Sequence, residues 1–268
     1  MAHGQSLQER LRGLKVAAHR GGFWSAAQGT PLVFDASLES GADIIELDLR
    51  GTCDGGVVVS HSDTLSKHTF CLGFIRERTF ADVTRCRLLP VGVRIPSFED
   101  VLEWQRGKDI VVNAEFKDDV VVAPALRLVE QYDAWDRVYF QANVHYDRYV
   151  RARALAPQAN MLVNVGDMGR LRWALDLNDP HLVVIGLRGP MLTPEAVALV
   201  HQYGKAASAN SWHAAQLQEL FTAACDSLFA MGIDVAVTNN ARSCATQRDL
   251  MLAPGAQARL NREGSTRQ

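Results

Sequence analysis

Short apolar runs alternate with amphipathic stretches along nearly the whole chain. The runs are Lys15–His19, Ile44–Leu49, Ile110–Phe116, Val138–Ala142, Asn160–Val165, Leu182–Gly186, Lys205–Ala209 and Val235–Thr238. Each is too short for a typical helix, and most are rich in Val and Ile, as strands buried on both faces are. Between them lie helix-like segments: Ser97–Arg106, Val120–Tyr132, His145–Ala156, Thr193–Tyr203 and Ala214–Met231. Ser97 and Thr193 are N-cap candidates, and Pro194 suits the first helical position. Eight strands alternating with helices are what an α/β fold of the (β/α)8 TIM-barrel type requires. A doubly wound open sheet competes, but no GxGxxG follows the first strand.

Length fits this reading: 268 residues suit one large barrel, although two small domains are also compatible. With no low-complexity linker or charge block to divide it, the chain reads as one domain over 1–268 with a polar tail from Pro254. The formal net charge of −2 leaves no broad basic field for nucleic acid or an anionic membrane, so an anionic ligand must be recognised by a local cluster. No apolar run approaches the length of a membrane-spanning helix. The polar N-terminus has no signal-like apolar core, and the five cysteines are odd in number and lack CxxC spacing. Reduced thiols in a cytoplasm are therefore expected, with neither a disulfide framework nor a zinc site.

In a barrel of this kind, chemistry sits at the C-terminal ends of the strands. His19 and Arg20 end the first run. Glu46 and Asp48 lie two apart in the second, and Glu115 and Lys117 two apart in the third, so each pair points to one side. His61 closes a further short run, Val57–Ser60, after the turn Asp54-Gly55-Gly56. Buried carboxylates without partners are costly. Glu46, Asp48 and Glu115 offer hard oxygen ligands for Mg²⁺ or Ca²⁺; an ion-pair network with Arg20 and Lys117 is the structural alternative.

These segments follow one another in a specific order: His19-Arg20-Gly21, Gly41 to Asp48 (Gly-Ala-Asp-Ile-Ile-Glu-Leu-Asp), Asp54-Gly55, Val58-Val59-Ser60-His61, Ile95 to Leu102 and Glu115-Phe116-Lys117. The set resembles the glycerophosphodiester phosphodiesterase family, strongly over the first half of the chain and weakly through 192–197 and 231–238. The resemblance implies metal ligation by Glu46, Asp48 and Glu115, acid–base catalysis by His19 and His61, and phosphate binding by Arg20 and Lys117. It also implies a small-molecule phosphodiester as substrate. Two other readings stay open: a lyase of the sphingomyelinase D type that stops at a cyclic phosphate, and a non-catalytic phosphodiester-binding protein.

The departures lie at the rim. Gly29-Thr30-Pro31 stands where the family has Pro-Glu-Asn, His61-Ser62 where it has His-Asp, Asn210-Ser211-Trp212 near its Trp-Thr-Val-Asn, and Thr238-Asn239 at its closing Thr-Asp. Lys67, Arg188, Asn210 and Trp212 are the candidate substrate contacts, with Trp24, His68, Gln141 and Asn143 as further residues that could line the mouth. The altered rim suggests a polyhydroxylated substrate, such as an opine-type sugar phosphodiester.

Overall fold

The computed structural model describes residues 6–22, 28–213 and 224–254. Nine strands form one sheet: β1 Lys15–Ala18, β2 Ile44–Gly51, β3 Val57–Val59, β4 Val111–Phe116, β5 Val138–Gln141, β6 Met161–Val165, β7 Leu182–Leu187, β8 Ala206–Asn210 and β9 Val235–Thr238. Their order is β1-β9-β8-β7-β6-β5-β4-β2-β3, and β1 also pairs with β2, which closes a barrel of eight parallel strands. Only β3 is antiparallel, folded back on the end of β2 through Leu49 opposite Val59. Every expected strand is present within two residues of its expected bounds.

The helices described are α1 Leu7–Arg10, α2 Pro31–Glu39, α3 Phe80–Arg85, α4 Phe98–Gln105, α5 Val122–Gln131, α6 Tyr146–Leu155, α7 Met168–Asp176, α8 Pro194–Gln202, α9 Cys225–Ala230 and α10 Ala241–Leu252. The two expected caps form. Ser97 accepts from the Asp100 amide in a reciprocal capping box, and Thr193 accepts from the Ala196 amide. Of the expected helix 214–231, only its last part lies within the described residues, as α9; Trp24 and the tail beyond Pro254 lie outside them.

Alternation along each strand sorts the side chains. In β2, Ile45, Leu47 and Leu49 pack outward under the helices, whereas Ile44 points into the barrel with the inner core. β4 repeats this with Val112, Ala114 and Phe116 outside and Val111 inside. The inner core of Ile44, Val111, Tyr139, Leu162 and Val235 is plugged by Leu7 and Leu11 from the α1 segment. The next inward positions, Glu46, Asp48, Asn113, Glu115, Gln141 and Asn164, are polar yet buried. An apolar floor thus carries a polar upper layer at the C-terminal ends of the strands.

The expectation of reduced thiols is corrected. Cys71 bonds to Cys86 and Cys225 to Cys244, leaving Cys53 as the one unpaired cysteine. The partners are 15 and 19 residues apart. Each pair is brought together by tertiary contact, the second by packing of α9 on α10, so no local spacing signal marks it. Removing such a bond typically costs about 2–5 kcal/mol. Thiol titration of the unfolded, unreduced protein should count one thiol; a count of five would contradict both pairings.

Candidate active site

β2 and β4 lie side by side in register, with Glu46 opposite Asn113 and Asp48 opposite Glu115. Glu46, Asp48 and Glu115 therefore converge at the mouth. One oxygen of each lies within 4.8 Å of the others, and all three side chains are buried. Burial first, then the charges of Asp48 and Glu115, push the Glu46 carboxyl well above its usual range. Three oxygens with this spread fit one sphere of hard-cation radius, about 2.0–2.6 Å. The donor set thus suits a divalent cation of the Mg²⁺ or Ca²⁺ kind.

Two cations flank the carboxylates. Lys117 Nζ lies 2.8 Å from Glu115 Oε1 and 3.1 Å from Asp48 Oδ1. Arg20 adopts the left-handed conformation (φ 52°), which lets its amide donate to Glu46 Oε2 at 2.9 Å. Its Nε stands 3.4 Å from Asp48 Oδ2, buried and without a hydrogen-bond acceptor among the described residues. A buried, unsatisfied guanidinium N–H beside the mouth is a ready donor to an incoming oxyanion. Gly21 completes the bend (φ 76°), because a Cβ there would strike the Phe34 ring.

His19 is held on two sides. Its Nδ1 is 2.6 Å from Asn239 Oδ1, and its ring lies 4.6 Å from that of Trp212. Burial lowers its basicity, opposed in part by the Asn239 hydrogen bond. A neutral ring that donates from Nδ1 to the Asn239 carbonyl oxygen leaves the Nε2 lone pair available, 3.9 Å from Glu46 Oε2. His61 follows β3, and its carbonyl accepts from Arg50 Nε and Nη2 at 3.2 and 2.9 Å. Burial, and after it the cations Arg20, Lys117 and Lys67 against the opposing pull of Asp48, bring the His61 imidazole down to about 4.

Glu115 is fixed by an amide relay. Gln141 Nε2 donates to its Oε2 at 2.9 Å and Asn143 Nδ2 to its Oε1 at 3.1 Å. Asn113 donates to Gln141, and Asn164 to Asn143. Gly186 is required beside this relay, because a Cβ would collide with the Asn164 side chain. Sequence reasoning raised Gln141 and Asn143 only as mouth residues, and it missed Arg50, Asn113 and Asn164. Their one signal was polarity at inward strand positions. Asn239, noted as a departure, is the partner of His19.

The rim candidates are less gathered. Arg188 follows β7, half-buried; its amide donates to the Val165 carbonyl, and its side chain has no ion pair or hydrogen bond among the described residues, although the Glu115 charge acts on it. Asn210 ends β8, and Trp212 backs His19. Lys67 is exposed, and its charge acts on His61.

The family model of the glycerophosphoryl diester phosphodiesterases matches residues 19–240. The chain belongs to that family. It is thus a phosphoric diester hydrolase by descent. It is 32% identical to a glycerophosphodiester phosphodiesterase of Caldanaerobacter subterraneus over 145 residues, covering 49% of this chain and 58% of the relative. To a Bacillus altitudinis glycerophosphodiester phosphodiesterase it is 26% identical, covering 70% and 81%. Among solved structures, a glycerophosphoryl diester phosphodiesterase from Parabacteroides distasonis superposes with a TM-score of 0.77 at 19% identity, covering 93% of both chains. A phosphodiesterase from Oleispira antarctica, in complex with the product sn-glycerol-3-phosphate, gives 0.72 at 20% identity, covering 88% of this chain and 96% of that one. These structures share the closed barrel.

His61 gives a pH test on the metal-free protein. Its folded value of about 4 lies below the ordinary 6.5. Between those values the unfolded chain binds a proton that the folded one refuses, so stability falls as pH drops from about 6.5 towards 4. NMR titration should show the His61 ring neutral at pH 5.5, and His61→Gln should flatten that part of the stability curve. A His61 ring that titrates near 6.5 would contradict the geometry.

Proposed function

We propose that the protein hydrolyses a small glycerophosphodiester or related sugar-bearing phosphodiester to a phosphomonoester and an alcohol. One divalent cation would be held by Glu46, Asp48 and Glu115, with His19 and His61 moving protons. The observation that carries this reading is the set of three buried carboxylates, oxygens within 4.8 Å of one another, with Glu46 driven towards protonation by burial and then by the charges of the other two. Bound there, Mg²⁺ or Ca²⁺ would supply Lewis-acid stabilisation of charge at the phosphoryl oxygens.

The chain's own groups do the rest. Arg20 and Lys117 orient the phosphate and offset its charge. His19, neutral and held at Nδ1 by Asn239, takes the proton of the attacking hydroxyl on Nε2. His61 is neutral in the resting site because burial and the charges of Arg20, Lys117 and Lys67 disfavour its protonation. A phosphodiester anion placed against those cations relieves that field, so His61 gains a proton as substrate binds and donates it to the leaving alkoxide. The Oleispira protein holds its glycerol phosphate product in the same kind of barrel, which supports the product class.

An expected cytoplasmic location belongs to this reading too. No helix among the described residues is long and apolar enough to cross a membrane. The two disulfides weigh against that location, because cytosolic reductants keep thiols reduced; five thiols on protein taken directly from its cell would support it, and one would contradict it.

Carboxylate-to-amide change at Glu46, Asp48 or Glu115 should remove most turnover, as should metal stripping. Ala at His19 or His61 should cost about 10²–10⁴ in rate. Full turnover after stripping, or near-normal His61→Ala, would contradict the assignment. Product-resolved ³¹P NMR should show the phosphomonoester, whereas an accumulating cyclic phosphate would make the enzyme a lyase.

Selectivity tests the rim. Polar groups that hydrogen-bond substrate hydroxyls reject analogues lacking them, so Arg188, Asn210 and the Trp212 wall favour a polyhydroxylated substrate. kcat/KM should be higher for a sugar phosphodiester than for glycerophosphocholine, with the advantage lost in Arg188→Ala and Asn210→Ala. Equal or better turnover of glycerophosphocholine would reduce the altered rim to neutral variation.

A further inference from the structure

Between β3 and α4 the chain leaves the barrel for residues 62–95 and folds onto a small core of its own, formed by Val58, Leu65, Ile75, Val83, Cys86 and Ile95. Antiparallel bridges pair Thr69 with Leu88 and Arg87 with Arg94, and the Cys71–Cys86 bond continues the first register. That register sets Phe70 beside Arg87, and residues opposed in this way share a face. The Leu89 amide donates to the His68 carbonyl at 2.8 Å, which brings the following turn to the same edge.

The outer edge of this excursion is apolar. Phe70 is 86% exposed and Leu72 73%, and Leu89 and Val91 at the turn are exposed as well. Two residues beyond Val91, Val93 lines a separate cavity of about 380 Å³ with Leu32, Pro96 and Trp104, and with Arg94, Asp100 and Glu103 among its charged walls. Single exposed apolar residues are ordinary, but a contiguous set rimmed by charge marks an interaction surface.

Charge selects the occupant. Residues 62–95 carry six Lys and Arg against three Asp and Glu, in a chain that has 28 and 30. Lys67, Arg76, Arg78 and Arg87 are exposed without an ion pair among the described residues, whereas the exposed Arg94 pairs with Asp100 at 2.6 Å and Arg85 with Asp82 at 4.0 Å. Large apolar side chains ringed by cations match an anionic lipid surface: the first enter the acyl boundary while the second meet the headgroup phosphates. The segment begins at the residue after His61, which follows β3 at the barrel mouth.

We propose that residues 62–95 form a docking surface for anionic lipid bilayers, with Phe70 and Leu72 inserting and the surrounding arginines and Lys67 meeting the headgroups. This reading goes beyond hydrolysis of the phosphodiester and does not depend on it, because a binding measurement needs no turnover.

The test is flotation of the full chain with phosphatidylcholine vesicles, alone and with about a third phosphatidylglycerol. The protein should float with the anionic vesicles, stay behind with the neutral ones, and be released by high salt. Phe70→Ser with Leu72→Ser should bind about tenfold less or weaker still, with circular dichroism and turnover of a soluble phosphodiester unchanged. Arg76→Glu with Arg87→Glu keeps the apolar edge and should lose the preference for anionic lipid. Absence of vesicle binding, equal binding to both vesicle types, or wild-type binding by the double serine variant overturns the proposal. Salt-insensitive self-association that the serine variant abolishes, without vesicle binding, also overturns it and assigns the face to a second copy of the chain.

Discussion

Three carboxylates packed at one end of a barrel, out of water, are the constraint on which the rest of the site depends. Their mutual repulsion is strong in a poorly screened interior, and Lys117 and Arg20 offset only part of it. Burial, and after it the charges of Asp48 and Glu115, drive Glu46 towards its neutral form. A divalent cation held by the three carboxylates would offset that charge. Burial, and after it the charges of Arg20, Lys117 and Lys67 against the opposing pull of Asp48, hold His61 neutral.

The barrel makes that arrangement affordable. Outward residues of β2 and β4 pack under helices, and the floor of Ile44, Val111, Tyr139 and Leu162 is apolar but for the buried Tyr139 hydroxyl. The polar layer above is tied down by hydrogen bonds rather than by packing alone: Gln141 and Asn143 orient Glu115, the Arg20 amide orients Glu46, and Asn239 orients His19. Each of these side chains thus has a partner on a different strand or loop, which fixes its direction.

Much of this was legible in the chain. Glu46 and Asp48, like Glu115 and Lys117, are two residues apart in Val- and Ile-rich runs, and a period of two forces each pair onto one face. Closure of the barrel then brings the two faces together, as the pairing of Asp48 with Glu115 shows. What stayed hidden depends on contacts between distant segments. Asn239 meets His19 across 220 residues, and Asn164 supports Glu115 only through Asn143. The cysteine pairs are set by the register of the excursion and by packing of α9 on α10, neither of which leaves a local period. Rim residues such as Arg188 and Asn210 were placed at strand ends correctly, but strand position alone assigns no ligand to them.

The direct test of the central claim is calorimetric titration of Mg²⁺ and of Ca²⁺ into metal-stripped protein, with no substrate present. The account predicts one ion bound per chain, and a melting temperature that rises with ion concentration as linkage requires. Both effects should disappear in Glu115→Gln while the barrel stays folded. No binding of either ion, or undiminished binding by Glu115→Gln, would contradict the assignment of Glu46, Asp48 and Glu115 as the ligands.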